Sequence, residues 1–533
     1  MTPYEAEEFT PSESDVLRRY FTNLDQPVFA LVNLPEVVKG ALFARYSRSA
    51  KSLRRLFLDE FLDDLDVSGD ESIDATTGMR RAEELYDRVF FQYGDDSVAQ
   101  LGGVHLACEQ ASNVLTKVLE WGRIMSYLEQ STRYIRYDQR SEGRYRYYRD
   151  PEILNSVHGT RYVGEIDRMF DVYSSLIPVM EQFFKNAVPK KTTDADFAYK
   201  MAIRAKALDS IRGLLPAASF SNVGIYGSGQ AYEALLLRMR ASAIPEARSY
   251  SDLMLTELRK VIPSFLKRVD LADRGQITSH YLSENAAAVS DIGDRLLDVS
   301  APAATESSVD LVDFDPDAEV KLVTAMLYPT SSLSEREIVE QVHKMTVDER
   351  LGVMKAYEGD RTNRRHRPGR ALERVDYRFD ILGDYGAFRD LQRHRMCTIE
   401  WQRLSTRHGY VMPDVIDMVR KTGQFVDVMT RSSELHDALA GDFPNQAPYA
   451  VSLAYRMRYS MQMNARSAMH ILELRSAPQG HPTYRSVAQD MHRLIAERAG
   501  HKAVAEMMKF VDHSEDADLE RLNAENRSAN RSS

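Results

Sequence analysis

The chain has 533 residues and a formal net charge of −10 at pH 7. Its length suits roughly two to four domains, and its acidity argues against a general nucleic-acid-binding protein. Cys108 and Cys397 are its two cysteines, too few for a disulfide framework or a cysteine-based zinc site. The N-terminus shows no signal peptide, and no apolar run approaches the ~20 residues of a membrane helix. We therefore expect a cytoplasmic protein with no membrane association.

The first half of the chain begins with a polar, acidic stretch, residues 1–24, which predicts a flexible N-terminal arm. Residues 25–268 read as a folded domain that is mostly helical. Apolar residues recur at helical spacing over 102–121 and 160–187, and this spacing predicts two amphipathic helices. Residues 269–318 are small and acidic, which predicts a linker.

The second half is predicted to fold over residues 319–511, and its Ser/Asn-rich tail, residues 512–533, to be disordered. Asn464 is a good N-cap residue for a helix that would place Arg466 and His470 on one face. A neighbouring group of tyrosines and methionines looks like a cofactor-binding motif (a cofactor box), but we interpret these residues as core. They are Tyr449, Tyr455, Met457, Tyr459, Met461 and Met463.

An internal repeat connects the two halves. Arg393-His394-Arg395 precedes Ser405-Thr406-Arg407, and Trp121-Gly122-Arg123 precedes Ser131-Thr132-Arg133. Late in each half come Leu474-Arg475 and Met239-Arg240. The period of roughly 270 residues is that of a whole domain, which indicates a duplication rather than a solenoid.

The repeated motifs carry groups that suit a phosphorylated ligand. In an extended segment the Ser and Arg of Ser-Thr-Arg would face the same side and could bind a phosphate or a uracil edge; a polar strand face is the alternative. Two arginines that flank a histidine repel each other unless an anion such as a diphosphate neutralises them. Asp390 or Glu400 could serve instead, and a solvated basic turn is the other alternative.

Neither cysteine is marked as a nucleophile. Cys108 lies on an apolar stripe, so we expect inert core. Cys397 lies near the arginines, but no His/Asn pattern accompanies it.

These motifs resemble those of the flavin-dependent (alternative) thymidylate synthases, whose hallmark is Arg-His-Arg, seven residues, then Ser. The first half is similar to that family over residues 94–98 and 123–134, at Arg45-x-Ser47 and at residues 211–216. The second half carries Arg393-His394-Arg395, Asn464-x-Arg466 and Leu474-Arg475. The first half keeps the spacing to Ser131 but has Trp121-Gly122-Arg123, whereas the second half keeps Arg-His-Arg but has nine residues before Ser405. His470 stands where the family usually has Asn.

The resemblance implies a helix-rich α+β fold with two tandem thymidylate synthase-like domains. It implies reductive methylation of dUMP to dTMP, with FAD as cofactor and methylenetetrahydrofolate and NADPH as co-substrates. Arg475 would be the catalytic residue. The cofactor-binding residues would be Ser47, Arg393, His394, Arg395, Asn464, Arg466 and His470. The substrate-binding residues would be Glu129, Ser131, Arg133, Arg212, Ser405 and Arg407.

The family forms homotetramers with active sites assembled from several subunits, so the resemblance also implies a homodimer that acts as a pseudo-tetramer. The first half would supply Ser47, Glu129, Ser131, Arg133 and Arg212 to composite sites. Two alternatives remain open. The chain could be a flavoenzyme that modifies another pyrimidine nucleotide, or a diverged non-catalytic protein that binds a nucleotide, flavin or RNA, although net acidity makes nucleic acid an unfavoured partner.

Overall fold

A computed structural model describes residues 4–34, 36–62, 100, 102–192, 194–298 and 302–514. The chain divides into two compact units, each built from segments that are distant in sequence. Unit 1 comprises Met1–Ser174, Leu215–Pro302 and Asp427–Val451. Unit 2 comprises Ser175–Leu214, Ala303–Val426 and Ser452–Ser533. Both halves of the sequence therefore contribute residues to each unit.

Unit 1 contains a mixed set of helices and strands. In chain order these are α1 (Pro11–Leu17), β1 (Val28–Leu31), α2 (Glu36–Tyr46), α3 (Leu53–Glu60), β2 (Gly103–Ser112), α4 (Asn113–Leu119), β3 (Met125–Glu129), β4 (Arg140–Ser141), β5 (Arg144–Tyr145), α5 (Pro151–Leu154), the first part of α6 (Gly159–Ala187), β6 (Phe220–Ser228), α8 (Gly229–Arg240), α9 (Pro245–Arg259), α10 (Gly275–Leu296) and most of α16 (Thr422–Ala440). The helix predicted over 160–187 is thus confirmed as α6.

Unit 2 contains the elements that hold most of the predicted site. These are the end of α6, α7 (Asp196–Ile211), β7 (Ser308–Phe314), α11 (Ala318–Leu327), α12 (Glu335–Val342), α13 (Val347–Glu358), β8 (Asp376–Asp384), α14 (Tyr385–Leu391), β9 (Thr398–Trp401), α15 (Asp414–Met418), the start of α16 (Thr422–Ala440), β10 (Arg456–Asn464), α17 (Ala465–Arg475), α18 (Pro482–Glu497) and α19 (Lys502–Met507). The helix-rich α+β class predicted from the sequence is confirmed.

The sheet of unit 1 is antiparallel in the order β1-β2-β6-β3. Its central strand β2 corrects the single helix predicted over 102–121, because residues 103–112 are extended and only 113–119 are helical. Leu106, Ala107 and Cys108 are all fully buried in succession. A strand buried on both faces reads as a continuous apolar run, which periodicity alone does not separate from a buried helix.

The sheet of unit 2 is also antiparallel, in the order β7-β8-β10-β9. Along β10 buried and half-buried side chains alternate, as in a strand with one face on the core. Met457, Tyr459, Met461 and Met463 form the buried face. This confirms their interpretation as core rather than a cofactor box.

The two sheets have the same strand order, and their helices start in the same way. Ser112 caps α4 after β2, and Asp384 caps α14 after β8. Ser228 caps α8 after β6, and Asn464 caps α17 after β10. In all four cases the capping side chain accepts from the backbone N–H three residues on. The predicted duplication is therefore visible at equivalent strand-to-helix junctions.

Regular elements lie in the two segments whose composition predicted an arm and a linker. Residues 4–24 include α1, where Thr10 and Glu13 form a capping box, and both Leu17 and Phe21 are buried. Residues 269–318 include α10 and β7. Of the predicted tail, residues 515–533 lie outside the described part of the chain.

Candidate functional site

A pocket of about 600 Å³ lies in unit 2 where β10 passes into α17. Its walls carry six of the residues predicted to bind a cofactor. These are Arg393, His394, Arg395, Asn464, Arg466 and His470. Side chains separated by about 70 positions in sequence thus meet in one cavity of a size typical of small-molecule sites.

Asn464 is placed at the pocket by its role as helix cap. Its Oδ1 accepts from the Ser467 backbone N–H at 2.8 Å, which confirms the predicted N-cap. Arg466, two residues on, donates to the Pro368 carbonyl oxygen and to Glu373, each at 3.0 Å. These bonds fix the Arg466 guanidinium at the wall of the pocket.

Arg475 lies behind the pocket, in contact with one of its walls. It is not among the lining residues that the structure describes. Its Nε donates to Nε2 of His394 at 2.8 Å, and its Nη2 donates to the Asp390 carbonyl oxygen at 2.6 Å. His394 therefore connects the pocket to the predicted catalytic arginine.

The Asp390 carboxylate is shared by three arginines. It lies 3.6 Å from Arg212 and 3.8 Å from both Arg393 and Arg475. The two inner arginines are nearly excluded from solvent, with side-chain exposures of 5% for Arg212 and 14% for Arg475. Three guanidiniums around one carboxylate leave the cluster with excess positive charge, which favours a bound anion.

Arg212 belongs to the first half of the sequence but lies in unit 2. It follows α7, and its Nε lies 3.7 Å from Asp209, which in turn is 3.8 Å from His481. The Ala454 N–H donates to the Gly213 carbonyl oxygen at 3.0 Å and so joins this segment to the second half. The site in unit 2 is therefore composite in sequence: one half supplies Arg212 and the other supplies Arg475.

The two histidines of the site are held neutral. Burial lowers the pKa of His394 well below its usual value, and the neighbouring charge of Arg475 acts in the same direction. Burial also lowers the pKa of His470, together with the charge of Arg367. A neutral His394 that accepts at Nε2 carries its proton on Nδ1. Its acceptor role toward Arg475 therefore persists at neutral pH.

Four other predicted site residues lie in unit 1. The Ser131 N–H donates to the Ser47 carbonyl oxygen at 3.1 Å, so these two serines are neighbours, and the Arg133 N–H donates to Ser131 Oγ at 3.3 Å. Glu129 is buried beside Lys117, with Oε2 3.3 Å from Nζ. Ser47, Ser131 and Arg133 form a local group in unit 1, and Glu129 is engaged in a buried ion pair.

The Ser-Thr-Arg steps are turns, which corrects the extended conformation considered for them. Residues 132–134 and 406–408 bend the chain just after β3 and β9 respectively. Ser405 is half-buried and Arg407 is exposed, and neither is among the described residues that line the pocket. Because the chain bends, the alternation of a strand does not decide which way these side chains face.

The equivalent positions in unit 1 lack the chemistry of the pocket. Arg393 follows the cap Asp384 by nine positions, and Trp121 follows the cap Ser112 by the same nine. Arg475 follows Asn464 by eleven positions, and Met239 follows Ser228 by eleven. The repeat therefore pairs Arg475 with Met239, which is buried, and not with Arg240 as the sequence comparison predicted.

Several lining residues were not singled out as site residues by the sequence. Arg367, Arg370 and Glu373 come from a basic stretch that contains a short helical turn before β8. The concentration of arginines over residues 361–374 was the available signal. Asp390 was considered only as a neutralising anion, and the structure gives it that position.

The same basic stretch, residues 361–374, exposes less positive charge to an RNA than its composition indicates. Arg361 is buried, and its guanidinium makes paired hydrogen bonds of 2.9 and 2.8 Å to the Glu473 carboxylate. Arg361 therefore belongs to a buried structural ion pair and is not an exposed charge.

The cysteines differ in their surroundings. Cys108 is fully buried in the core, and burial raises the pKa of its thiol, as expected for an inert residue. Cys397 is buried but lines the pocket. In the described part of the chain no group of His, Cys, Asp and Glu side chains could hold a metal ion, and no helix is long and apolar enough to cross a membrane.

Comparison with known families gives two matches to one family model. The model described as "Thymidylate synthase complementing protein" matches residues 43–264 and again residues 310–510. The first matched segment contains β2, β6 and β3, the second contains β8, β10 and β9, and together the two segments cover most of the chain.

Full-length relatives are also found. A UPF0159 protein of Chlamydia pneumoniae is 42% identical over 527 residues, with 98% of each chain covered. A UPF0159 protein of Thermoplasma acidophilum is 30% identical over 514 residues, covering 91% of this chain and 97% of that one. The similarity to both relatives thus extends over nearly the whole of each chain.

Two solved structures are similar over part of the chain. One is a UMP/dUMP methylase PolB from Streptomyces cacaoi bound with 5-Br dUMP, at 19% identity and a TM-score of 0.30, covering 38% of this chain and 96% of that one. The other is flavin-dependent thymidylate synthase ThyX from Helicobacter pylori complexed with FAD and dUMP, at 18% identity and a TM-score of 0.29, covering 37% and 98%.

Proposed function

Because this chain belongs to the thymidylate synthase complementing protein family, we propose that it is a FAD-dependent thymidylate synthase. Its reaction would be the reductive methylation of dUMP to dTMP with methylenetetrahydrofolate and NADPH. The observation that carries this proposal is the pocket whose lining brings together Arg393, His394 and Arg395 with Asn464, Arg466 and His470.

The donor set of the pocket fits a flavin dinucleotide. Arg367, Arg370, Arg393, Arg395 and Arg466 all line it, and arginine binds phosphate oxygens with paired, charge-assisted hydrogen bonds. Asn464 and His470 add groups that can hydrogen-bond to a ring edge. Bound FAD would supply the hydride chemistry that no protein side chain provides. The role of this chain's residues is to hold and orient it.

Arg475 is the proposed catalytic residue. Its guanidinium is fixed from two sides by His394 and the Asp390 carbonyl, so it needs little reorganisation when charge develops nearby. Burial lowers the pKa of Arg475, and Asp390 opposes that shift, which keeps a positive charge in a poorly solvated place. Such a preorganised cation would stabilise negative charge on an activated pyrimidine.

Arg212 is the proposed partner of Arg475 in nucleotide binding. The two arginines are held by the same Asp390 carboxylate, and a nucleotide phosphate could replace part of that interaction. We assign Glu129, Ser131, Arg133, Ser405 and Arg407 to substrate binding, and Ser47 to cofactor binding, on the family resemblance. The chain would act as a homodimer that mimics a tetramer.

We infer one flavin site per chain, in unit 2. The unit 1 positions equivalent to Arg393, His394 and Arg475 hold Trp121, Gly122 and Met239. None of these three side chains can donate a charge-assisted hydrogen bond to a phosphate.

A second candidate is the modification of another pyrimidine nucleotide. Nine residues separate Arg395 from Ser405, against seven between Arg123 and Ser131. The two additional residues fall within 396–404, between the Arg-His-Arg motif and Ser405, and could change which base or sugar is accepted. UMP is the natural competitor to compare with dUMP, since the two differ by one hydroxyl.

The proposal is tested on the purified full-length protein. A flavin absorption band, together with conversion of dUMP to dTMP by methylenetetrahydrofolate and NADPH, is the expected result, and the gene should rescue a thymidine-requiring strain. FAD binding with methylation of UMP but not dUMP would favour the second candidate. Protein that takes up no added FAD would contradict both and leave a non-catalytic binding protein.

A further inference from the structure

Helix α10 (Gly275–Leu296) is attached to unit 1 only by its first turn. Gly275 and Ser279 are its buried residues, and Ser279 Oγ donates to the Leu237 carbonyl oxygen at 3.2 Å. From His280 to Asp298 the side chains are exposed or half-exposed. Most of this 22-residue helix thus has no packing partner in the described chain.

The exposed part of α10 has a heptad pattern. Leu282, Asn285, Val289, Ile292 and Leu296 follow one another at alternating steps of three and four residues; we call this set the α10 seam. Its apolar members are strongly exposed for their type, at 39% for Leu282, 70% for Val289, 45% for Ile292 and 77% for Leu296. A contiguous exposed apolar stripe on a soluble helix marks an interaction surface, and a 3.5-residue period is matched by another helix with the same period.

We propose that the α10 seam pairs with the α10 seam of a second copy of this chain, as a short parallel two-helix coiled coil. Asn285 is the reason to choose an identical partner. A polar Asn buried within an apolar seam is costly unless another polar group satisfies its amide, and in a symmetric parallel pair each Asn285 meets its own copy, which can both donate and accept. The two-fold symmetry of such a contact places each residue opposite its own copy.

The charge distribution on α10 is compatible with pairing to the same helix of a second copy. The positions that flank the seam carry Tyr281, Ala286, Ala288, Gly293 and Arg295. The three small residues among them let the backbones of two copies approach closely, and Arg295 is the one charged residue of the five. The acidic residues Glu284, Asp291 and Asp294 lie on the remaining faces. An acidic polar face disfavours the anionic surface of a membrane, which selects basic helices.

Cysteine cross-linking of the full chain tests the proposal. Under mild oxidation Asn285→Cys should give a disulfide-linked dimer on non-reducing gels as the main product. The matched control is Asp294→Cys, which is equally exposed but lies off the seam and should give little dimer. Cys108 and Cys397 are both buried, so they do not confuse the result. If Asn285→Cys gives no more disulfide-linked dimer than Asp294→Cys, the proposal is wrong.

A second measurement uses sedimentation of the reduced protein. The double variant Leu282→Glu/Val289→Glu should weaken self-association by at least about tenfold, because like charges then face each other across the seam. A dissociation constant equal to that of the parent, or a monomeric parent, would overturn the pairing. FAD binding of the parent is measured in parallel as a separate readout of the proposed function, because α10 supplies none of the described residues that line the pocket. A failure of flavin binding in the parent would concern the proposed function and not this contact.

Discussion

Arg475 donates from Nε to Nε2 of His394 at 2.8 Å. This bond ties the last residue of α17 to the centre of the Arg-His-Arg motif, about 80 positions earlier in the chain. Because burial keeps His394 neutral, the bond has one direction, with arginine as donor. It connects the residues that line the pocket to the arginines around Asp390, which we call the cation layer: Arg212, Arg393 and Arg475. Arg393 belongs to both sets.

Arg475→Ala is expected to remove turnover and leave the flavin in place. The guanidinium does not line the pocket, so FAD affinity should change by less than about threefold. The rate of dTMP formation should fall by at least about 100-fold, the usual cost of removing one preorganised charge-stabilising donor. Stopped-flow and steady-state assays measure the rate, and flavin titration measures the affinity. A variant that keeps its rate, or still rescues a thymidine-requiring strain, contradicts the role given to Arg475.

Asp390→Asn should destabilise the protein in a way that added anions reverse. It removes the carboxylate shared by Arg212, Arg393 and Arg475. Leaving buried cations without their partner costs on the order of 3 kcal/mol. Thermal unfolding should show a lower melting temperature for the variant. Sulfate should raise the melting temperature of the variant more than that of the parent, because the anion replaces the lost charge.

Asp437→Asn is the matched control for this change. Its carboxylate is 72% exposed and pairs with His436 at the surface, so its loss should be nearly neutral. Equal melting temperatures for the two variants, or no extra effect of sulfate on Asp390→Asn, would show that Asp390 does not organise the cation layer.

The two copies of the Arg-His-Arg position should differ in flavin binding. Arg395→Ala removes a lining guanidinium and should weaken FAD binding by roughly 10- to 100-fold, the value of a hydrogen bond to a charged group. Arg123→Ala removes the equivalent residue of unit 1, which is exposed, and should leave FAD affinity unchanged. Isothermal titration calorimetry with FAD measures the affinity of each variant. Equal losses of FAD affinity in the two variants would indicate a flavin site in unit 1 as well.

Glu246 gives a prediction about pH. It is completely buried in unit 1, and burial raises its pKa from the ordinary 4.5 to about 7, although hydrogen bonds from Ser112 and Tyr449 oppose the shift. The folded state therefore binds the proton more tightly than the unfolded state does. Its contribution to stability is complete below about pH 4.5 and is lost as the pH rises through 7. The loss is on the order of 3 kcal/mol.

Glu246→Gln should remove this dependence. The neutral amide can still hydrogen-bond to Ser112 and Tyr449, so the fold is kept. Between pH 5 and 8 the free energy of unfolding of the variant should fall less steeply than that of the parent, as measured by urea titrations. If the free energy of unfolding falls equally with pH in the two proteins, Glu246 is not the source of the pH dependence.

The sequence was sufficient for the class of fold, the duplication and six of the thirteen residues that line the pocket. Asn464, Arg466 and His470 could be placed because cap and helix spacing are local properties, and the structure confirms α17 there. The helix predicted across β2 was wrong for a physical reason: a central strand buried on both faces loses the alternation that distinguishes strands.

The cation layer could not be predicted from spacing alone. Arg212 lies 178 positions from Asp390 in the chain, and only the folded unit 2 brings their side chains to 3.6 Å. A long-range ion pair leaves no periodic signal in a sequence. The sequence comparison also paired Arg475 with Arg240, because it matched Leu474-Arg475 to Met239-Arg240. Counting from the helix caps in the structure identifies Met239 as the counterpart of Arg475.

The amount of FAD bound per chain tests the account most directly. The purified full-length protein is saturated with FAD, freed of excess, and its flavin and protein concentrations are measured, followed by an assay for dTMP from dUMP. We predict one FAD per chain and dTMP formation that is lost in Arg475→Ala. Two FAD per chain would contradict the single intact site in unit 2, and no bound FAD would contradict the proposed enzyme itself.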